Sequence, residues 1–200
     1  GFSPERLARI DRHLQEKYVG PGRLPCAQFL LARNGQIVHQ SVIGQQDPER
    51  GVALREDTVF RIYSMTKPVT SVALMTLVEE GKIALDDPVA KYIPEWKDIG
   101  VFQAGTGPFL TKPCARPMQV VDLMRHTSGL TYGFQMQGNI DAAYRKLKVA
   151  EDLHAGTLQE FIEKLAGIPL VFSPGEAWNY SVSTDVLGYL VEKISGQSFA

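Results

Sequence analysis

Charge of one sign is the first thing this chain lacks. Its 21 lysines and arginines against 22 aspartates and glutamates leave a net charge of −1. That balance removes the electrostatic case for nucleic acid or an anionic membrane as a partner. Cysteine is nearly absent too. Cys26 and Cys114 lie far apart, without the close spacing of a metal site, and read as buried or idle thiols. The four histidines, His13, His39, His126 and His154, are equally scattered and form no ligand pattern. No metal or cofactor is therefore implied. No apolar run approaches the ~20 residues of a membrane-spanning helix. Gly1-Phe2-Ser3-Pro4-Glu5-Arg6 does not read as a signal peptide. The expected compartment is the cytoplasm, or the periplasm or exterior if a leader has been removed. Internal repeats and low-complexity tracts are also lacking.

What is present is apolar mass: 44% of 200 residues are hydrophobic, enough for a real core. The most informative stretch is Ser64-Met65-Thr66-Lys67, an S-x-x-K at the head of an apolar helix expected over about 64–80. Residues i and i+3 share a helical face, so Ser64 Oγ and Lys67 Nζ can meet without outside help. A serine hydroxyl is a weak nucleophile until a base takes its proton. Chance also supplies such tetrapeptides, most of them solvated helix turns. Here the helix runs on through Val69-Thr70-Ser71-Val72-Ala73-Leu74-Met75 to a stop at Gly81, apolar or small on nearly every side. It is expected to be central and buried. Burial and the helix dipole would both favour the neutral amine of Lys67.

Elsewhere the signals are local. Ser3 caps a helix with Pro4 at its first position, and Leu7, Ile10 and Leu14 form its stripe. Residues 26–33 and 36–43 read as strands joined by Asn34-Gly35, a strong hairpin signal. Residues 44–57 read as polar loop. Leu85 to Pro94 reads as a capped short helix ended by proline, 98–117 as a long loop, and 119–126 as a short helix. A helix is expected near 139–149 within the ambiguous stretch 132–156. Thr157 and Glu160 form a capping box for a helix that Gly167 ends. Ser173-Pro174-Gly175-Glu176 is a turn, and a last helix starts near Ser183 with Leu187, Leu190, Val191 and Ile194 on one face. Two strands are not stable alone, so the chain reads as part of a larger fold.

Tyr180 sits between that turn and the last helix. Alone it would be a packing residue with its hydroxyl tied to backbone. Beside Lys67 its phenol would ionise more easily, take the Ser64 proton and return it to a leaving group. Assigning the base to Lys67 or Tyr180 alone would be idle, because the two would titrate together.

Taken in order, Ser64-x-x-Lys67, Leu85-Asp86-Asp87-Pro88-Val89, Lys91-Tyr92-Ile93-Pro94, His126-Thr127-Ser128-Gly129-Leu130 and Pro174-Gly175-Glu176 leading into Tyr180-Ser181 resemble the serine β-lactamase and penicillin-recognising superfamily, class C branch. The resemblance implies an α/β (α+β) fold, β-lactamase-like, with a mostly antiparallel sheet flanked by helices and an all-helical region. It places the N-terminal helix, hairpin and nucleophile helix in 1–81 and a mostly helical region in 82–200. It implies Ser64 as nucleophile, with Lys67 and Tyr180 moving its proton. His126 is taken as structural. Where β-lactamases of this branch carry Tyr-x-Asn, this chain has Val182, which can neither donate nor accept. That makes it most similar to family VIII carboxylesterases, and the expected reaction is hydrolysis of small acyl esters with weak β-lactamase activity beside it. A β-lactamase or D-Ala-D-Ala carboxypeptidase, and a non-catalytic penicillin-binding-like scaffold, are the alternatives. The superfamily's third motif, on a late strand with the second oxyanion donor, is not in these residues, and a separate C-terminal chain could complete the fold. Trp96 and Trp178 read as packing or pocket wall, Glu79-Glu80 as a solvated helix end. Phe134, Met136 and the 98–117 loop are candidates for the acyl pocket.

Overall fold

Ser3 opens helix α1 (Pro4–Leu14), its Oγ accepting from Arg6 N, and Pro4 fills the position whose N–H would be spare. The computed structural model describes residues 1–150 and 156–199. By its contacts the chain divides into two units, Gly1–Ile62 and Tyr63–Ala200. The helix that follows Ser64 thus groups with the helical region, whereas the expected boundary lay at residue 81.

In the first unit a π-helical turn, Gln15–Val19, prolongs α1. Strands β1 (Cys26–Arg33) and β2 (Gln36–Asp47) form the expected antiparallel hairpin. Asn34 and Gly35 carry the positive φ values, 50° and 76°, that a two-residue turn between twisted strands requires. Residues 44–57 are not wholly loop. β2 runs on to Asp47 and pairs with a short β3 (Val52–Ala53), giving the order β1-β2-β3. The Gln45 N–H donates to Pro25 O and the Leu54 N–H to Gly44 O, pairings that the polar side chains did not signal. His39 Nε2 lies 2.9 Å from Asp11 Oδ1 and ties α1 to β2.

The second unit holds the core. Helix α2 (Thr66–Glu79) follows a 3₁₀ turn at Tyr63–Met65 and ends at Gly81, where φ is 68°. It packs against α6 (Ser183–Ser195) through Thr70, Leu74 and Leu77, a single stripe at helical spacing. The expectation of burial on every side is corrected here: Val69 and Val72 are 62% and 64% exposed. An all-round apolar helix reads as buried, but among the described residues the buried stripe of α2 is the one facing α6.

The segment from Leu85 to Pro94 is a pair of 3₁₀ turns, Val89–Lys91 and Pro94–Trp96, rather than one helix, with Pro94 opening the second. The expected loop at 98–117 contains a second antiparallel hairpin, β4 (Val101–Ala104) and β5 (Leu110–Lys112). Leu170 docks on it through Phe102 N–H to Leu170 O and Leu170 N–H to Gly100 O, both 2.8 Å. Phe102 and Phe109 meet edge to face and pack on the core. Helices α3 (Val120–Met124), α4 (Asn139–Lys146) and α5 (Leu158–Ala166) stand where the sequence put them, α5 with its Thr157–Glu160 capping box formed. Asp122, fully buried at the head of α3, takes two bonds from the Arg116 guanidinium at 2.7 and 2.8 Å. It also accepts from Gln119 N and Thr127 Oγ1, so its charge is matched by donors. Trp96 is buried, its indole N–H donating to Ile162 O.

Candidate active site

Three side chains converge in the second unit. The 3₁₀ turn ahead of α2 presents Ser64 on the surface, and the first turn of α2 carries Lys67. The segment between the Pro174-Gly175 turn and α6 carries Tyr180. Ser64 Oγ lies 2.5 Å from Tyr180 Oη, and Lys67 Nζ donates to Ser64 Oγ at 3.2 Å. With Lys67 as donor, the Ser64 hydroxyl proton is free to point at Tyr180. A proton path therefore runs ammonium to hydroxyl to phenol. Burial alone would raise the Tyr180 phenol. The Lys67 ammonium and the Ser64 hydroxyl outweigh it and leave its pKa lowered. Lys67 Nζ also sits 4.7 Å from the centre of the Tyr180 ring.

The Tyr180 ring is packed among other rings. His126 lies 4.9 Å away centre to centre, Tyr132 5.3 Å and Trp178 6.5 Å. Tyr132 stacks on Phe134 at 4.8 Å and faces Lys67 Nζ at 5.8 Å. Burial pushes the Tyr132 phenol up, so it stays protonated where Tyr180 ionises. Phe134, Met136 and Trp178 are exposed.

The backbone of 179–182 is held against 126–135. Asn179 N–H donates to His126 O at 2.9 Å and its side chain to Leu130 O. Gln135 Nε2 donates to the Tyr180 carbonyl. On another side of the same stretch, Gly129 has a φ of 86° and lets the chain approach Phe172, whose carbonyl oxygen an added Cβ would strike.

Val182 is fully buried in the core. Its side chain thus packs inward in this chain and does not line an open site, a correction to its expected place beside substrate. Tyr132 and Gln135 were not singled out from the sequence, and Ser181 entered only as the second residue of the tyrosine motif. Their only signal was position, two to five residues beyond Leu130 and one beyond Tyr180. Among the described residues no three His, Cys, Asp or Glu side chains gather as a metal site would need, and no helix is long and apolar enough to cross a membrane. His154 lies outside the described residues.

Residues 10–200 match the family described as Beta-lactamase. The chain is 40% identical over 174 residues to Protein Rv1367c of Mycobacterium tuberculosis, covering 86% of this chain and 42% of that one. It is 36% identical over 195 residues to Esterase EstB of Burkholderia gladioli, covering 96% and 45%. Among solved structures, EstCE1, a hydrolase with promiscuous acyltransferase activity, superposes with a TM-score of 0.82 at 26% identity over 98% of this chain and 49% of that one. The chain thus spans about half the length of these relatives.

Proposed function

The chain belongs to the Beta-lactamase family, and on that premise we propose that it carries the acylation centre of a serine carboxylesterase for small acyl esters. The supporting observation is the contact of Ser64 Oγ with both Tyr180 Oη and Lys67 Nζ. Three residues from two distant parts of the chain place a hydroxyl, a phenol and an amine in hydrogen-bond reach. The likeness to Esterase EstB supports the choice of ester over lactam.

Ser64 Oγ attacks the ester carbonyl carbon while its proton passes to Tyr180 phenolate, leaving a tetrahedral oxyanion. Collapse breaks the bond to the alkoxide, which takes the proton back from Tyr180 as it leaves. Water then adds to the acyl-enzyme and gives a proton to Tyr180. The Oγ–carbon bond breaks, and that proton returns to Ser64. Lys67 keeps the phenol acidic enough to cycle, and such a positioned proton carrier is worth ~10²–10⁴ in rate. An alcohol in place of that water would give transesterification, a reading favoured by the likeness to EstCE1.

Hydrolysis of p-nitrophenyl butyrate by the protein with its whole natural sequence is the test. Ser64→Ala is expected to lower turnover by at least ~10⁴-fold. Turnover that survives it removes the reading. Nitrocefin hydrolysis as fast as ester hydrolysis would favour a β-lactamase, and failure of a fluorophosphonate to label Ser64 a scaffold.

A further inference from the structure

His126 holds three consecutive residues of the Tyr180 segment. Its carbonyl accepts from Asn179 N–H at 2.9 Å, its ring lies 4.9 Å from that of Tyr180, and its Nδ1 lies 3.2 Å from Ser181 Oγ. The last contact continues inward. Ser181 Oγ is 2.7 Å from Ser183 Oγ, which is 2.7 Å from Ser128 Oγ. All three serines are fully buried.

Counting hydrogens decides the direction of this chain. Each hydroxyl has one proton to give. If Nδ1 accepts, Ser181 donates to His126, Ser183 to Ser181 and Ser128 to Ser183. Three protons then serve three links, and none is left over. If Nδ1 carries a proton, every link reverses. The Ser128 proton is then left without an acceptor among the described residues, because the other bond Ser128 Oγ makes there is one it accepts, from Leu130 N. An unpaired buried donor is disfavoured. The same reversal would accompany protonation of the imidazole. Lys67, on α2, is the charged group acting on His126, and Tyr180 the titratable group against its ring; burial first and the Lys67 charge second also push its pKa down.

We propose that His126 is a positioning residue for Tyr180, locked as the neutral Nε2–H tautomer by the buried chain Ser128–Ser183–Ser181. This rests on the reading of Tyr180 as proton carrier for Ser64. A neutral ring can brace Tyr180 on both flanks without adding a second cation beside Lys67. A second cation would stabilise the phenolate and weaken it as a base toward Ser64.

Two-bond proton–nitrogen correlation spectra of histidine-labelled protein read the tautomer directly, with His126→Asn to assign the signal. The wild type is expected to show Nε2–H, and an Nδ1–H tautomer overturns the proposal. Ser181→Ala is expected to release the ring, so that its titration moves up by about one pH unit. Ser128→Ala should leave it locked, since two hydroxyls still fill the two remaining links. A titration unmoved by Ser181→Ala also overturns it. In ester hydrolysis, His126→Leu should lower kcat by up to ~10² with KM held, the cost of a misplaced proton carrier. His126→Asn should restore most of it, because Asn tolerates the φ of 57° at this position and its Oδ1 accepts where Nδ1 did. An unchanged kcat in His126→Leu removes the positioning role. Absence of ester turnover in the wild type would end the proposed function, while the tautomer would still decide this inference.

Discussion

Leu54 is the one buried apolar side chain among the described residues of 1–62, whereas residues 63–199 bury Leu74, Leu123, Ile162, Leu187 and the rest of a continuous core. The first unit is held by a strand ladder, a two-residue turn and a helix laid on β2. Those devices define a register, but each is worth little without packing. The second unit interleaves helices around apolar side chains and closes its buried charges with bonds. Ser64, Lys67 and Tyr180 all lie in it. A site that needs a hydroxyl held 2.5 Å from a phenol must stand on packed elements, since rotamers are fixed by neighbours.

The sharpest challenge to this contrast is Asp122→Ala, which takes away at once the buried acceptor of Arg116, Gln119 N and Thr127 Oγ1. It is expected to cost about 3–5 kcal/mol. Urea unfolding followed by tryptophan fluorescence checks it, because both tryptophans, Trp96 and Trp178, lie in the second unit. A loss under about 1 kcal/mol would show that the unit does not depend on its buried charges. Paired glycine substitutions come next. Gly129→Ala and Gly44→Ala would each drive a Cβ into a carbonyl oxygen at a φ near 90°. Gly129 is buried, so nothing around it can yield, and roughly 3 kcal/mol is expected from strain and overpacking together. Gly44 is exposed at the edge of the β1 pairing, where the strand can shift, and roughly 1 kcal/mol is expected by the same terms relaxed. Equal costs would erase the difference in packing between the units.

What could be seen in the residues beforehand follows the same division between local and tertiary signals. Asn34-Gly35, the Thr157–Glu160 box and the Leu187–Ile194 stripe act within a few residues, and each element stands as expected. The β4–β5 hairpin was invisible because its strands are three and four residues long and its turn is built from Gly and Pro that read as loop. The partial exposure of α2 was hidden for another reason: composition tells how apolar a helix is, not which side has a partner. At the site, residue types and the Ser64–Lys67 contact were legible in the spacing, and the meeting with Tyr180 was not. Ser64 and Tyr180 are 116 positions apart, and only the order of motifs linked them. The serine chain behind His126 could not be read at all, since Ser128 and Ser183 meet only once α6 is packed.

The dependence of stability on acid is a smaller effect that separates the units by location. Hydrogen bonds from Tyr92 first, then Lys91 and Ala84 N, hold the Asp87 carboxyl down at about 2. A depressed carboxyl stabilises the fold above its unfolded value near ~3.9, and that contribution fades as pH falls toward about 2. Unfolding of the second unit by urea should therefore lose stability between about pH 4 and pH 2. Asp87→Asn should remove part of that slope, at a cost of about 1 kcal/mol at neutral pH. A slope unchanged by the substitution would assign the acid sensitivity elsewhere.

The smallest expected effect lies in the first unit. Leu30 and Ile37 are 53% and 59% exposed on the β1–β2 hairpin. Large apolar side chains at that exposure have little transfer energy left to lose, so Leu30→Gln and Ile37→Gln should each change stability by less than ~0.5 kcal/mol. Hydrogen exchange of the amides in Cys26–Asp47 is the measurement, since both tryptophans report on the other unit. The outcome bears on what holds the hairpin. Near-neutral substitutions mean that turn and ladder suffice, and that the unit keeps its register without a core. A loss of ~2 kcal/mol or more, the scale of a buried Leu or Ile, would mean that this face is covered in solution. The hairpin would then share the packing logic of the second unit, and the low burial seen within it would reflect a missing neighbour, not a different way of building.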